Sequence, residues 1–78
     1  MKIVIVENSE IIRAQLVRIL ATQPRIRITG VASEEETAVS LIVQSKPDAV
    51  LLDLALSPGS GVRVLQRVRE RPPNRGGP

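Results

Sequence analysis

The 78-residue chain contains no Phe, Tyr, Trp, Cys or His. Without Cys there is no disulfide framework, no thiol nucleophile and no thiolate-bound zinc or iron–sulfur cluster. Without His there is no Ser-His-Asp triad and no imidazole-bound metal. Without aromatic rings there is no base-stacking platform of the kind that single-strand binders use. Carboxylates, amides, hydroxyls and Lys/Arg are left for chemistry, so any metal is a hard, oxygen-bound cation such as Mg²⁺ or Ca²⁺. No apolar run approaches the ~20 residues of a membrane span. Met1–Val6 is too short and too soon followed by an acid to be a signal peptide. A cytoplasmic location is the expectation.

Aliphatic side chains are what the chain has instead. Apolar residues make up 42% of the sequence, too many for a disordered chain. A domain this small buries only about 60–65% of its unfolded surface and is marginal on its own. The charge is uneven. Residues 1–66 carry seven bases and seven acids, and the net +3 comes from Arg67, Arg69, Arg71 and Arg75 against Glu70.

Lys2–Val6, four of whose five residues are β-branched and apolar, reads as a strand buried on both faces. Asn8 or Ser9 can cap the helix that follows, whose apolar stripe is Ile12, Leu16, Ile19 and Leu20 and whose end is near Thr22. Arg25–Val31 alternates, which suits an edge strand with Ile26 and Ile28 on one face; Gly30 marks a turn or a close approach. Ser33-Glu34-Glu35-Glu36 reads as a capping box opening a second helix, with Ala38, Leu41 and Ile42 buried and its end near Ser45. Asp48–Asp53 is a third strand. A Gly/Pro/Ser loop follows, then a helix capped by Ser60 with Val62, Leu65 and Val68 as its stripe. The order βαβαβα with short loops predicts an α/β fold: a three-layer parallel sheet with right-handed crossovers. Residues 1–71 form one domain in this reading, and the Pro/Gly/Arg-rich residues 72–78 form a disordered tail.

In open parallel sheets, ligands gather at the carboxyl ends of the strands, where the strand order reverses. Strand order 2-1-3 brings Glu7, Asn8 and Asp53 together there. Oxygen groups so placed repel unless a cation or proton is shared, and Mg²⁺ suits them. The other reading is that Asp53 simply caps its loop.

The stretches K-I-V-I-V-E-N-S and S-K-P-D-A-V-L-L-D-L-A-L-S-P-G-S-G resemble the receiver domain of two-component response regulators, in register from Lys2 to about Arg69. The resemblance implies the βαβαβα half of a flavodoxin-like fold and a signalling module rather than an enzyme. It implies Asp53 as the phosphoacceptor for a histidine kinase. It also implies Mg²⁺ held by Glu7, Asn8, Asp53 and the backbone carbonyl of Ala55. Asn8 stands where the family carries an acid, so weaker Mg²⁺ binding is expected. The loop proline, Pro58, is one residue later than usual, while Gly61 keeps its place.

The resemblance also implies a receiver truncated after its third helix. Strands four and five would be missing, together with the lysine and hydroxyl that contact the phosphoryl group. The expectation is a degenerate or slow phosphoacceptor. The alternative is a phosphorylation-independent module that homodimerises through the third-strand edge, Ala49–Leu54, extending the sheet to a second copy. Nucleic acid is not an expected partner: four Arg against one Glu make a modest patch, with no reading helix beside it. No membrane partner is expected.

Overall fold

The computed structural model describes residues 1–70. Strand β1 spans Lys2–Val6, helix α1 Glu10–Ala21, β2 Arg27–Ala32, α2 Glu35–Ser45, β3 Ala49–Leu52 and α3 Gly61–Glu70. The three strands form one parallel sheet in the order β2-β1-β3. No helix among the described residues is long and apolar enough to cross a membrane. The expected tail at 72–78 lies outside the described residues.

The central place of β1 explains its unbroken apolar sequence. Val4, Ile5 and Val6 are essentially inaccessible. Val4 and Val6 pack with Ala32, Ala38, Val39, Ile42, Leu56 and Val64, on the face where α2 meets α3. The two-residue period sends Ile3 and Ile5 to the opposite face, where α1 lies against β1 and β2. Both outer strands are edges, as the alternation of β2 implied. β3 differs from β1 although it is equally apolar: Ala49 and Leu51 are exposed, because no strand lies beyond it among the described residues. In β2 the register against β1 slips by one residue at Ile3/Val4, and Thr29 Oγ1 donates to the Ile3 carbonyl at 3.4 Å.

Ser9 Oγ accepts from the Ile12 amide at 3.2 Å and caps α1. Ser60 Oγ accepts from the Arg63 amide at 3.0 Å and caps α3. Gly30 is a site of close approach, since a Cβ there would press on the Leu41 side chain.

Three local expectations need correction. The capping box of α2 does not form; Glu34 is the N-cap without a side-chain bond, and Glu35 turns inward instead. The α1 stripe is only half used. Leu16 and Leu20 are half-buried, while Ile12 and Ile19 are exposed, because α1 rests on β1 and β2 and no other element among the described residues covers its other flank. In α3 Gly61 and Val64 are buried and Val68 packs half-buried against the core as expected, but Val62 and Leu65 are exposed. Gly61 sets that rotation. Its backbone packs against Asp53 and Leu54 so closely that a Cβ would overlap them, which turns Gly61 and Val64 inward together.

Candidate functional site

The carboxyl ends of β1 and β3 are tied side by side. The Asp53 amide donates to the Val6 carbonyl at 2.8 Å, continuing the β1–β3 ladder by one bond. The Glu7 amide donates to the Ala32 carbonyl at 3.0 Å on the β2 side. Glu7, Asn8 and Asp53 therefore stand at one corner of the sheet, as the strand order required.

Two backbone amides converge on the Asp53 carboxylate. Ala55 donates to Oδ1 at 2.9 Å, and Asn8 donates to Oδ2 at 3.4 Å. The first bond is the loop-capping turn foreseen as an alternative, and here it coexists with the link to Asn8. The Ala55 amide first, aided by that of Asn8, outweighs burial and holds the Asp53 carboxyl below its ordinary range. Asp53 is half-buried and anionic at neutral pH. Oδ2, with only a long bond, has the more available lone pairs.

Glu7 is fixed from both sides. Its Oε2 accepts from the Ser9 amide at 2.9 Å, and its carbonyl accepts from Arg13 Nη1 at 2.8 Å. Lys2 and Lys46 stand at the opposite end of the sheet: the Lys2 ammonium donates to the Ser45 carbonyl at 3.2 Å, and Lys46 closes α2 in a left-handed conformation. Neither can reach Asp53.

The donor set at this corner is two carboxylates, one amide side chain and backbone carbonyls. It is all oxygen and carries two negative charges, which fits a hard divalent cation of modest affinity. No group of three or more His, Cys, Asp or Glu side chains occurs among the described residues; Asn8 leaves the corner one carboxylate short of that.

A second cluster was not foreseen. Glu35 is buried, at 6% exposure. Its Oε1 accepts from the Ser60 amide at 3.2 Å. Its Oε2 accepts from Arg63 Nε at 3.2 Å and Arg67 Nη1 at 2.9 Å. Arg67 also reaches Glu36 at 2.8 Å. Arg67 above all, with Arg63 and Ser60, lowers the Glu35 carboxyl against the cost of burial. The sequence signals were the acidic run 34–36 and two arginines one helical turn apart, but nothing in them said that one acid faces inward.

Residues 3–76 match the family described as response regulator receiver domain. Over 72 residues the chain is 36% identical to protein-glutamate methylesterase/protein-glutamine glutaminase 1 of Syntrophus aciditrophicus, covering 92% of the chain and 21% of that protein. It is 32% identical over 74 residues to the uncharacterized transcriptional regulatory protein YhcZ of Bacillus subtilis, covering 95% of the chain and 35% of that protein. The crystal structure of the response regulator domain of Thermotoga maritima CheB superposes with a TM-score of 0.87 at 25% identity, over 94% of the chain and 55% of that domain. The chain thus spans about a fifth to a third of these two relatives and about half of that solved domain.

Proposed function

The chain belongs to the response regulator receiver domain family, and from that premise we propose that Asp53 accepts a phosphoryl group. The observation that carries this reading is the Asp53 carboxylate itself. It is anionic, presented at the sheet's carboxyl edge, and held by two amides that leave Oδ2 the freer oxygen. In the step, Oδ2 attacks phosphorus and forms a P–O bond. The bond to the donor breaks, and its electron pair leaves with the donor: an imidazole nitrogen of a kinase phosphohistidine, or the carboxylate of an acyl phosphate.

Receiver domains generally bind Mg²⁺ at the phosphorylation site. Glu7, Asn8, Asp53 and the Ala55 carbonyl are the groups we assign to hold it here. When bound, the cation offsets the negative charge that builds between carboxylate and phosphoryl oxygens. The protein's own part is to orient Oδ2 through the Ala55 and Asn8 amides and to keep Glu7 in place through Ser9 and Arg13. Lys2 and Lys46 stand at the far end of the sheet, so slow labelling is expected of these 78 residues.

The test is incubation of the 78-residue protein with acetyl phosphate and Mg²⁺, followed by intact-mass spectrometry. A phosphoryl mass gain that disappears in a folded Asp53→Asn variant supports the reading. A wild type that gains no mass, or an Asp53→Asn variant that gains as much, overturns it.

A second reading concerns the partner. The four residues of β3 carry no charge and no proline, and their outer backbone groups have no strand beside them among the described residues. Such an edge pairs readily with another strand. We infer that two copies pair β3 with β3 antiparallel about a twofold axis, making a sheet of order 2-1-3-3-1-2. Light scattering on the eluting protein at micromolar concentration tests it. Leu51→Lys is expected to convert a dimer to a monomer, and a folded monomeric wild type rules the pairing out.

A further inference from the structure

Glu35 lies outside the corner described above, yet it touches the loop that makes that corner at three successive residues. Its amide donates to the Pro58 carbonyl at 3.3 Å. Its side chain backs onto Gly59, where φ is +94° and a Cβ would overlap it. Its Oε1 accepts from the Ser60 amide at 3.2 Å. The loop between β3 and α3 is short and fastened at both ends. At its start Ala55 donates to Asp53. At its close the Gly61 amide donates to the Leu54 carbonyl at 3.0 Å. Between these, Leu56 is buried in the core, so the loop has little freedom once Glu35 holds residues 58–60.

Joining α2 to α3 does not by itself need a buried acid. The exposed Glu36 already pairs with Arg67. A carboxylate taken out of water is retained at a cost unless its oxygens are satisfied, and Glu35 is satisfied by one loop amide and two α3 guanidinium groups. It therefore couples the loop to both helices at a single point.

We propose that Glu35 is a positioning residue for the Asp53 site: from α2 it fixes the loop that brings the Ala55 amide to the Asp53 carboxylate. The role assigned to Ala55 toward Mg²⁺ rests on the phosphoacceptor reading; the geometric hold on Asp53 does not.

The experiment uses isotope-labelled 78-residue protein and the variants Glu35→Ala, Glu35→Gln and Val39→Ala. Val39 is buried on the same helix and packs in the core, so its truncation controls for lost stability. Two quantities are read by NMR: the solvent-exchange rate of the Ala55 amide, which bonds Asp53 Oδ1, and the Mg²⁺ dissociation constant from the Asn8 and Ala55 amide shifts. Glu35→Ala is expected to speed exchange of the Ala55 amide and to weaken Mg²⁺ about tenfold, the usual scale for loss of a group that orients a ligand. Glu35→Gln, which keeps an acceptor for Ser60, gives a smaller change, and Val39→Ala changes neither. A folded Glu35→Ala with wild-type values in both readouts overturns the proposal, as does a Val39→Ala with equal losses. If Glu35→Ala does not fold, Glu35→Gln with Arg67→Ala is read by the same criteria. A wild type that ignores Mg²⁺ counts against the phosphoacceptor reading, while exchange of the Ala55 amide still decides the role of Glu35.

Discussion

The backbone amide of Ala55 donates to Oδ1 of Asp53 at 2.9 Å, two residues along the same chain. This one bond both shapes the loop and charges the site. An amide that satisfies the ionised carboxylate lowers its proton affinity, and the same bond closes the turn that starts the loop. The loop-capping turn and the gathering of Asp53 beside Asn8 are therefore one structure here, where the sequence had left them as competing explanations.

Replacing Asn8 by Asp is expected to tighten Mg²⁺ binding on the order of tenfold, because a third carboxylate raises the charge of an all-oxygen set. Titration of Mg²⁺ against the Ala55 amide resonance measures this. An unchanged constant would mean that position 8 does not reach the cation.

Stability should fall in acid with a definite sign. The carboxyls of Asp53 and Glu35 are both lowered in the folded chain. Their contributions are fully present above the unfolded values, about 3.9 for Asp and about 4.3 for Glu, and are lost as pH falls through the folded values. Urea unfolding followed by circular dichroism at pH 7, 5, 4 and 3 tests it. Wild type weakens below about pH 4.3, and Glu35→Gln, already weaker at neutrality, loses less over that interval. Equal pH slopes would remove Glu35 from the account.

Gly59→Ala meets two obstacles at once. The backbone has φ +94°, and the new methyl overlaps Glu35. The expected cost is about 1–3 kcal/mol, the range for a strained conformation or an overpacked contact. Gly30→Ala is milder, because it pushes only on the end of the Leu41 side chain. Equilibrium unfolding of the pair checks the order.

The rotation of α3 is tested by truncating neighbours. Val64→Ala removes a side chain at 1% exposure and is expected to cost about 1–3 kcal/mol. Leu65→Ala, at 48% exposure, should stay within about 0.5 kcal/mol. The reverse order would restore the helix face expected from the spacing of Val62, Leu65 and Val68.

That helix shows where sequence reading stops. An apolar stripe at helical spacing tells which residues share a face, but α3 carries valine or leucine on more than one face, and the contact of Gly61 with Asp53 and Leu54 chooses between them. The strands were easier. The unbroken aliphatic run of β1 and the alternation in β2 correspond directly to a central and an edge position. At the site, Glu7, Asn8 and Asp53 were legible because strand order alone gathers strand ends. Glu35 was not, because three consecutive acids at a helix start look alike until the loop packs against one of them. The half-exposed stripe of α1 has a similar cause: apolar spacing reports what a helix could bury, and the described sheet covers only part of it.

The one-residue slip between β1 and β2 reaches further than its local geometry. Ile28 pairs with Ile3, but after the extra residue Thr29 it is Gly30 that stands beside Val4, Val31 beside Ile5 and Ala32 beside Val6. Paired residues point the same way, so the slip inverts the odd–even parity of β2 halfway along. Ile28 and Val31, three apart, serve the layer of α1, while Gly30 and Ala32 serve the layer of α2. In a regular strand Ile28 would instead join Gly30 and Ala32 on the α2 side, crowding the layer where Leu41 already fills the space above Gly30. The bulge shares one six-residue strand between two layers, giving a bulky side chain to α1 and a smooth surface to α2.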